Sequence, residues 1–235
     1  MRRLTSRHAR LVEDSAMAKH LQRQIEALKQ KILLVGTLVE EAIAKAISAL
    51  VSRNGELART VIDADNEIDR MEVDVEEECL KILALYQPVA ADLRFVVAVL
   101  KINNDLERMG DLARNIAKRV AFLASHERVD LPGEFRVMAG KAQAMVKQSL
   151  DALVNSDTTL ARRIRDEDDE VDALQRTIRD RIEAQMRASP DRMESLMRLM
   201  SVSRHLERLA DMSTNVAEDV IYMVEGEIVR HRSES

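Results

Sequence analysis

The sequence contains few of the residues that interrupt or cross-link a chain. Its 235 residues include one cysteine, three prolines, six glycines and no tryptophan, and aromatic residues make up 2%. Because Cys79 is the only cysteine, an internal disulfide is excluded and we expect a reduced, cytoplasmic environment. The longest apolar run, FVVAVL, is too short to span a membrane, and the N-terminal arginines have no apolar segment behind them. We therefore expect neither a membrane span nor a signal peptide.

The charge balance is acidic, which argues against nucleic-acid binding. The chain has 41 Asp and Glu against 36 Lys and Arg, a net charge of -5, whereas nucleic-acid binding needs a basic surface. Hydrophobic residues, mostly Ala, Leu, Val, Ile and Met, make up 46% and charged residues 33%. That composition is typical of helix bundles. We predict an all-α protein.

The chain consists of two copies of one unit. The segment AISALVSRNGELARTVIDADNEID, which begins at Ala46, aligns without gaps with SLDALVNSDTTLARRIRDEDDEVD, which begins at Ser149. Further along, LERMGDLARNIA from Leu106 is repeated as LERLADMSTNVA from Leu206. Both pairs have nearly the same separation, so the repeat unit is about one hundred residues long.

Apolar residues within each unit recur at alternating spacings of three and four, which predicts helices that pack at shallow angles. The stripe of the third predicted helix is Val99, Ile102, Leu106, Met109, Ala113, Ile116, Val120 and Leu123. Its copy is Leu199, Val202, Leu206, Leu209, Val216, Val220 and Met223, with Ser213 the exception. The second predicted helix carries Leu57, Val61, Ala64, Ile68, Met71, Val75, Ile82 and Leu85.

The breaks between these stripes fall at the three prolines and at two polar turns. Pro88, Pro132 and Pro190 each mark the start of a helix, since proline is tolerated in a first helical turn but not in a helix interior. The segments SRNGE and NSDTT supply the turn and N-cap residues of the other breaks. These signals predict six helices, over residues 18–53, 56–86, 89–125, 133–155, 158–188 and 191–226.

The predicted architecture is a tandem pair of antiparallel three-helix bundles. The first bundle covers residues 18–126 and the second residues 131–228, with the boundary in the connection between them. Residues 1–17 precede the first bundle, and four of the first ten are arginine. We expect this segment to be a flexible basic tail.

Each bundle is predicted to carry a group of acidic residues beside its apolar stripes. Residues four apart on a helix share a face, so Glu107, Asp111 and Asn115 form one polar strip on the outer flank of the third helix. Asp65 and Asp69 form a second strip, just off the stripe of the preceding helix. Counted from the turn between the helices, Asp65 is level with Asp111 and Asp69 with Glu107 to within about one residue. We call these five residues the first acidic patch.

The second repeat preserves this arrangement. Its second acidic patch consists of Asp168, Asp172, Glu207, Asp211 and Asn215. Four carboxylates close together repel one another, and a bound cation would reverse the sign of that interaction. Carboxylate and amide oxygens are hard ligands that suit Mg, Ca, Mn or Fe. Both patches are therefore candidate metal sites, although an acidic strip on a bundle helix is more often a solvated face and Arg108 and Arg208 could neutralise much of the charge.

The duplicated order of these motifs resembles the PhoU family of bacterial phosphate-specific transport accessory and regulatory proteins. Each repeat carries Asp-x-x-x-Asp and then Leu-Glu-Arg-hydrophobic-small-Asp-x-x-x-Asn, with QPVAADLRFV opening the third helix and SRHLERLAD near the end. The similarity covers residues 18–228. The repeats differ in that the small residue is Gly110 in one copy and Ala210 in the other, and PVAADLR has no close copy after Pro190.

The resemblance implies a non-catalytic cytoplasmic regulator that restrains the phosphate-starvation response when phosphate is plentiful. Its implied partners are the ATPase subunit of the phosphate ABC transporter and the sensor histidine kinase of the phosphate two-component system. Through them the protein would be peripheral at the inner face of the cytoplasmic membrane. A homo-oligomer, most simply a dimer, is also expected. The resemblance further implies iron, zinc or another divalent or trivalent metal at the two acidic patches, and no organic cofactor.

Two other functions stay open at this point. A carboxylate-bridged metalloenzyme is one, but no Glu is followed three residues later by His, the pair that di-iron enzymes of bundle type use. A structural or oligomeric helical protein with incidental acidic residues is the other. Cys79 lies among acidic residues, which raise the pKa of a thiol, so we expect it to be a packed side chain and not a nucleophile.

Overall fold

Six helices make up the computed structural model, which describes the backbone of residues 2–227 and 229 and the side chains of residues 17–227 and 229. They are α1 (Arg2–Ser52), α2 (Gly55–Tyr86), α3 (Ala90–Ala124), α4 (Glu134–Asn155), α5 (Thr158–Ala188) and α6 (Met193–Glu225). A short 3-10 turn, Pro190–Arg192, leads into α6. No strand occurs in the described part of the chain. The predicted all-α fold is confirmed.

Local polar groups set the helix ends in both repeats. The Asn54 side chain accepts a hydrogen bond from the Leu57 amide at 3.0 Å and starts α2. Asp157, at the equivalent position of the second repeat, accepts from the Leu160 amide at 2.9 Å and starts α5. Apart from the start of α1, the predicted helix ends agree with the observed ones to within about two residues.

Helix α1 begins at Arg2, whereas the sequence predicts a start near residue 18. The predicted flexible basic tail, residues 1–17, falls almost wholly on residues whose side chains lie outside the described part of the chain. It therefore stays a prediction.

The helices form a layer of four with two more helices on one side. Helices α2, α3, α6 and α5 lie side by side in that order; α1 packs on α2 and α3, and α4 packs on α5 and α6. Helix α1 meets α4 at Gly36, where a Cβ would lie 2.8 Å from Leu150 Cδ2, so this close approach requires glycine unless the leucine side chain moves. We call the side of the layer away from α1 and α4 the open face.

The middle of the layer is an antiparallel contact between α3 and α6. Lys101 Nζ lies 3.3 Å from Asp219 Oδ1, and near the other end of the contact the Arg198 guanidinium lies 4.8 Å from the centre of the Phe122 ring. The two copies of the repeated LER segment therefore lie side by side and run in opposite directions. This contact joins the two predicted bundles into one continuous core, although the sequence boundary at 126–132 does coincide with the connection from α3 to α4.

The predicted apolar stripes of α3 and α6 are buried along their full length. The exception noted in the sequence, Ser213, is fully buried as well, and its hydroxyl donates to the Leu209 carbonyl at 2.8 Å. In α2 the prediction was wrong at Ala64 and Leu85, which are exposed. Cys79 is completely buried in this helix, as predicted. Within the described residues, no helix is both long enough and apolar enough to cross a membrane.

Candidate functional site: two acidic patches

The first acidic patch lies between α2 and α3 and includes a positively charged side chain. Arg114, on α3, forms ion pairs with Asp65 of α2 and with Asp111 of its own helix, the latter with Nη2 2.6 Å from Oδ1. One guanidinium therefore joins the two helices at a single level. Because it touches both carboxylates, Asp65 and Asp111 lie close together across the two helices, as the count from the turn predicts.

Burial differs among the side chains of this patch. Asp65 is 4% exposed, so it lies at the edge of the core, beside the apolar stripe of α2. Glu107, Asp111 and Asn115 are half-buried, and Asp69 is exposed. Asp65 is thus a nearly buried charge, and such a group needs an opposite charge beside it to remain ionised.

The electrostatics of the first patch reflect both burial and crowding. Burial raises the pKa of Asp65, the Arg114 charge lowers it, and the charges of Asp69 and Asp111 raise it. The pKa of Glu107 is raised by burial and then by Asp111, Asp69, Glu72 and Asp65. Glu72, which is not one of the five predicted patch residues, therefore lies close enough to act on Glu107.

The second acidic patch, between α5 and α6, brings together carboxylates at the equivalent positions but has no counterpart of Arg114. The position equivalent to Arg114 is Thr214, whose hydroxyl donates to the Asp211 backbone carbonyl at 2.6 Å. In the described part of the chain, no ion pair is formed by the patch carboxylates Asp168, Asp172, Glu207 and Asp211.

Without that guanidinium, the carboxylates of the second patch act strongly on one another. The pKa of Asp168 is raised to about 6 by burial and by the charges of Asp211, Asp172 and Asp169. Burial and neighbouring carboxylates also raise the pKa values of Glu207 and Asp211, and the nearby Arg208 lowers both. Protonation is thus one way in which this patch relieves its repulsion, and a bound cation would be another.

The arginines that sequence reasoning proposed as neutralising groups act unequally. Arg208 influences the second patch through its charge, as just described. Arg108 instead has Nη1 4.0 Å from Asp105 Oδ1 and lines a shallow groove of about 450 Å³ between α3 and α6. Lys101 and Asn215 border the same groove, so Asn215 lies between the second patch and the centre of the open face.

Neither patch is arranged as a finished metal site. Among the described residues, no group of three or more Asp, Glu, His or Cys side chains is placed to hold one metal ion. In the first patch one oxygen of Asp65 and one oxygen of Asp111 are engaged by Arg114, and the guanidinium lies between the two carboxylates, so this donor set does not fit a metal while the arginine stays in place. The second patch offers hard oxygen donors that form no ion pair within the described residues, although Arg208 acts on two of them from nearby, and its side chains would have to turn towards a common centre.

Arg114 is the residue of the first acidic patch that sequence reasoning missed. It follows Asp111 by three residues, which is a spacing for ion pairs on one helix face, and it is the charged residue that the second copy replaces by Thr214. The burial of Asp65 could not be read from the stripe, because it depends on how far α3 overlaps α2. Comparing the two copies position by position, beyond the shared acids, would have identified the difference.

Comparison with known proteins agrees with the duplicated architecture. The family model described as "PhoU domain" matches the chain twice, over residues 32–120 and 135–220. The "Phosphate-specific transport system accessory protein PhoU homolog" of Aquifex aeolicus is 41% identical over 210 residues, covering 89% of this chain and 95% of that protein. The homolog of the same name from Pseudomonas aeruginosa is 33% identical over 228 residues, covering 94% and 93%.

Solved structures show the same fold. The crystal structure of PhoU from Pseudomonas aeruginosa superimposes with a TM-score of 0.85 at 33% identity, covering 88% of this chain and 99% of that one. The phosphate transport system regulatory protein PhoU from Streptococcus pneumoniae gives a TM-score of 0.81 at 30% identity, covering 89% and 99%. These relatives are named as accessory or regulatory proteins and not as enzymes.

Proposed function

The chain belongs to the PhoU family, and on that premise we propose that it is a non-enzymatic regulator of phosphate uptake and of the response to phosphate starvation. The observation that carries this proposal is the match of both repeats to the PhoU domain, together with relatives named as accessory proteins of phosphate-specific transport that align over nearly their whole length. A role in phosphate transport follows from that family membership.

The finer part of the proposal is that the protein is an adaptor. It would contact the ATPase subunit of the phosphate ABC transporter and a sensor histidine kinase, and it would hold the kinase in its non-signalling state when phosphate is plentiful. A non-enzymatic protein acts through its surfaces, and a layer of four long helices with two more packed on one side offers long ones. An adaptor between these two partners would work in the cytoplasm, as a homo-oligomer or as a single chain.

The open face supports this role because both repeats present their duplicated polar groups there. Glu107 and Asp111 lie on the side of α3 opposite its buried stripe, and Glu207 and Asp211 occupy the matching side of α6. We propose that cations held by this face, or basic side chains of a partner, offset its negative charge. Iron and zinc are the metals to test first.

Deletion of the gene tests the regulatory function. In cells grown in high phosphate, a phosphate-starvation reporter should become active in the deletion strain and silent again when the full-length chain is supplied. A reporter that stays silent in the deletion strain would refute the regulatory function.

Metal analysis tests the cation part separately. The wild-type chain, purified without chelator, should contain more iron or zinc than the double variant Asp111→Ala, Asp211→Ala. Equal metal content in the two proteins would rule out metal binding at the patches and leave the regulatory proposal standing.

A further inference from the structure

We propose that Arg114 is the resident cation of the first acidic patch and that it excludes metal from this patch. The inference deepens the cation part of the proposed function and rests on it. It turns two equivalent candidate sites into one contact that holds a permanent cation and one candidate site without such a contact.

The contacts of Arg114 are those expected of a structural cation. Its two terminal nitrogens reach carboxylates on different helices, Asp65 on α2 and Asp111 on α3. A planar guanidinium donates along fixed directions and is always charged, so it can bridge two carboxylates in the way that a metal ion would. Its Nε is buried and donates to no group in the described residues, so the two carboxylates account for the contacts that hold it.

Burial explains why the first patch needs this cation at all times. Asp65 is 4% exposed, and a carboxylate in that position is costly to ionise without an opposite charge. A metal that dissociates would leave Asp65 unpaired whenever the metal was absent. A covalently attached arginine never leaves, so the first bundle does not depend on metal supply.

Competition follows directly from the geometry. A metal ion that joined Asp65 and Asp111 would occupy the space between the two carboxylates that the Arg114 guanidinium fills. It would also stand close to the guanidinium, and like charges repel. The second patch has Thr214 at this position. Its uncharged hydroxyl donates to the backbone carbonyl of Asp211, so it does not compete with a metal ion for the carboxylates.

The repeat supplies reciprocal substitutions as the test. Arg114→Thr gives the first patch the residue of the second, and Thr214→Arg does the reverse. Full-length wild type, both variants, Asp111→Ala and Asp211→Ala are dialysed against a range of Zn²⁺ concentrations, and bound zinc is measured by mass spectrometry. Circular dichroism of each protein checks that it is folded.

We expect Asp211→Ala to lose most of the bound zinc and Asp111→Ala to retain it. Arg114→Thr should raise bound zinc about twofold by opening the first patch, and Thr214→Arg should weaken zinc binding by about tenfold or more. If Arg114→Thr does not fold, Thr214→Arg and the two alanine variants still decide the question.

Three results would overturn the inference. These are equal losses of zinc in Asp111→Ala and Asp211→Ala, unchanged binding in Thr214→Arg, and a wild-type zinc content no higher than that of Asp211→Ala. None of them bears on phosphate regulation, because the starvation reporter is read in a separate experiment. Failure of the metal inference and failure of the proposed function are therefore distinguishable.

Discussion

Replacing Arg114 by methionine should destabilise the protein through Asp65. Methionine retains much of the length and apolar volume of the side chain but removes the charge, so Asp65 is left buried and unpaired at pH 7. Removing one partner of a buried ion pair costs about 3–5 kcal/mol. Because the Arg114 side chain is 29% exposed and water can partly replace it, we expect a smaller loss, about 2 kcal/mol in the free energy of unfolding.

Urea unfolding followed by circular dichroism measures this loss, and pH identifies its cause. In the variant the pKa of Asp65 is raised further, since the Arg114 charge that lowers it is gone. Asp65 then takes up a proton at a higher pH in the folded state than in the unfolded state. The loss of unfolding free energy caused by its unpaired charge is therefore largest above the raised pKa and becomes smaller on acidification towards pH 4. The difference between wild type and variant should therefore be smaller at pH 5 than at pH 7.

A double-mutant cycle and a matched control complete the experiment. In an Asp65→Asn background, Arg114→Met should cost less than about 1 kcal/mol, because no buried charge remains to be left unpaired. Thr214→Met, at the equivalent position of the second repeat, should change stability by no more than about 0.5 kcal/mol. If Arg114→Met costs the same with Asp65 or Asn at position 65, the bridging role of Arg114 is wrong.

Three further predictions follow from the packing and electrostatics of the chain. Asp168→Asn should stabilise the metal-free protein by about 1 kcal/mol at pH 7 and by nothing at pH 4. The reason is that the pKa of Asp168 is raised to about 6, so its charge opposes folding above that pH. Equal gains at both pH values in urea unfolding would contradict this prediction. The pKa of the buried Cys79 thiol is raised to about 12, so a disulfide reagent at pH 8 should modify this thiol at least about a hundredfold more slowly in native protein than in urea. Equal rates would show that the thiol is accessible in the native protein. Gly110→Ala places a Cβ 3.1 Å from Ile68 Cδ1, so more of its helix-propensity gain of about 1 kcal/mol should appear when Ile68→Val removes that methyl group. Equal gains in both backgrounds would exclude the contact.

The last prediction also explains a difference between the repeats that is visible in the sequence. Where the first bundle has Ile68 and Gly110, the second has Val171 and Ala210 at the equivalent positions, and all four are buried. One methyl group is lost from α5 relative to α2 and one is gained on α6 relative to α3. The substitutions compensate in volume, so both copies can preserve a close helix contact.

Helix number, helix ends and the levels of the acidic residues could be predicted because they depend on local signals. Apolar spacing, the caps Asn54 and Asp157, and the rise per residue determine them without reference to distant parts of the chain. The apolar stripe predicted for the second helix was wrong at Ala64 and Leu85, which are exposed.

The packing between the repeats and the burial of Asp65 required the structure. The antiparallel contact of α3 with α6 joins residues more than one hundred positions apart, such as Lys101 and Asp219, and no spacing rule indicates it. The role of Arg114 depends in the same way on α2 and α3 being level. Sequence reasoning found the shared acids because they are repeated, and it missed the arginine because it is not.

Co-purification tests the adaptor function most directly. The full-length tagged chain, expressed at its native level in a deletion strain that it complements, is recovered from cells grown in high phosphate and from phosphate-starved cells, and the bound proteins are identified by mass spectrometry. We predict that the sensor histidine kinase and the ATPase subunit of the phosphate transporter are both recovered in high phosphate, with less kinase after starvation. Recovery of neither partner from cells in which the chain silences the starvation reporter would contradict the adaptor account.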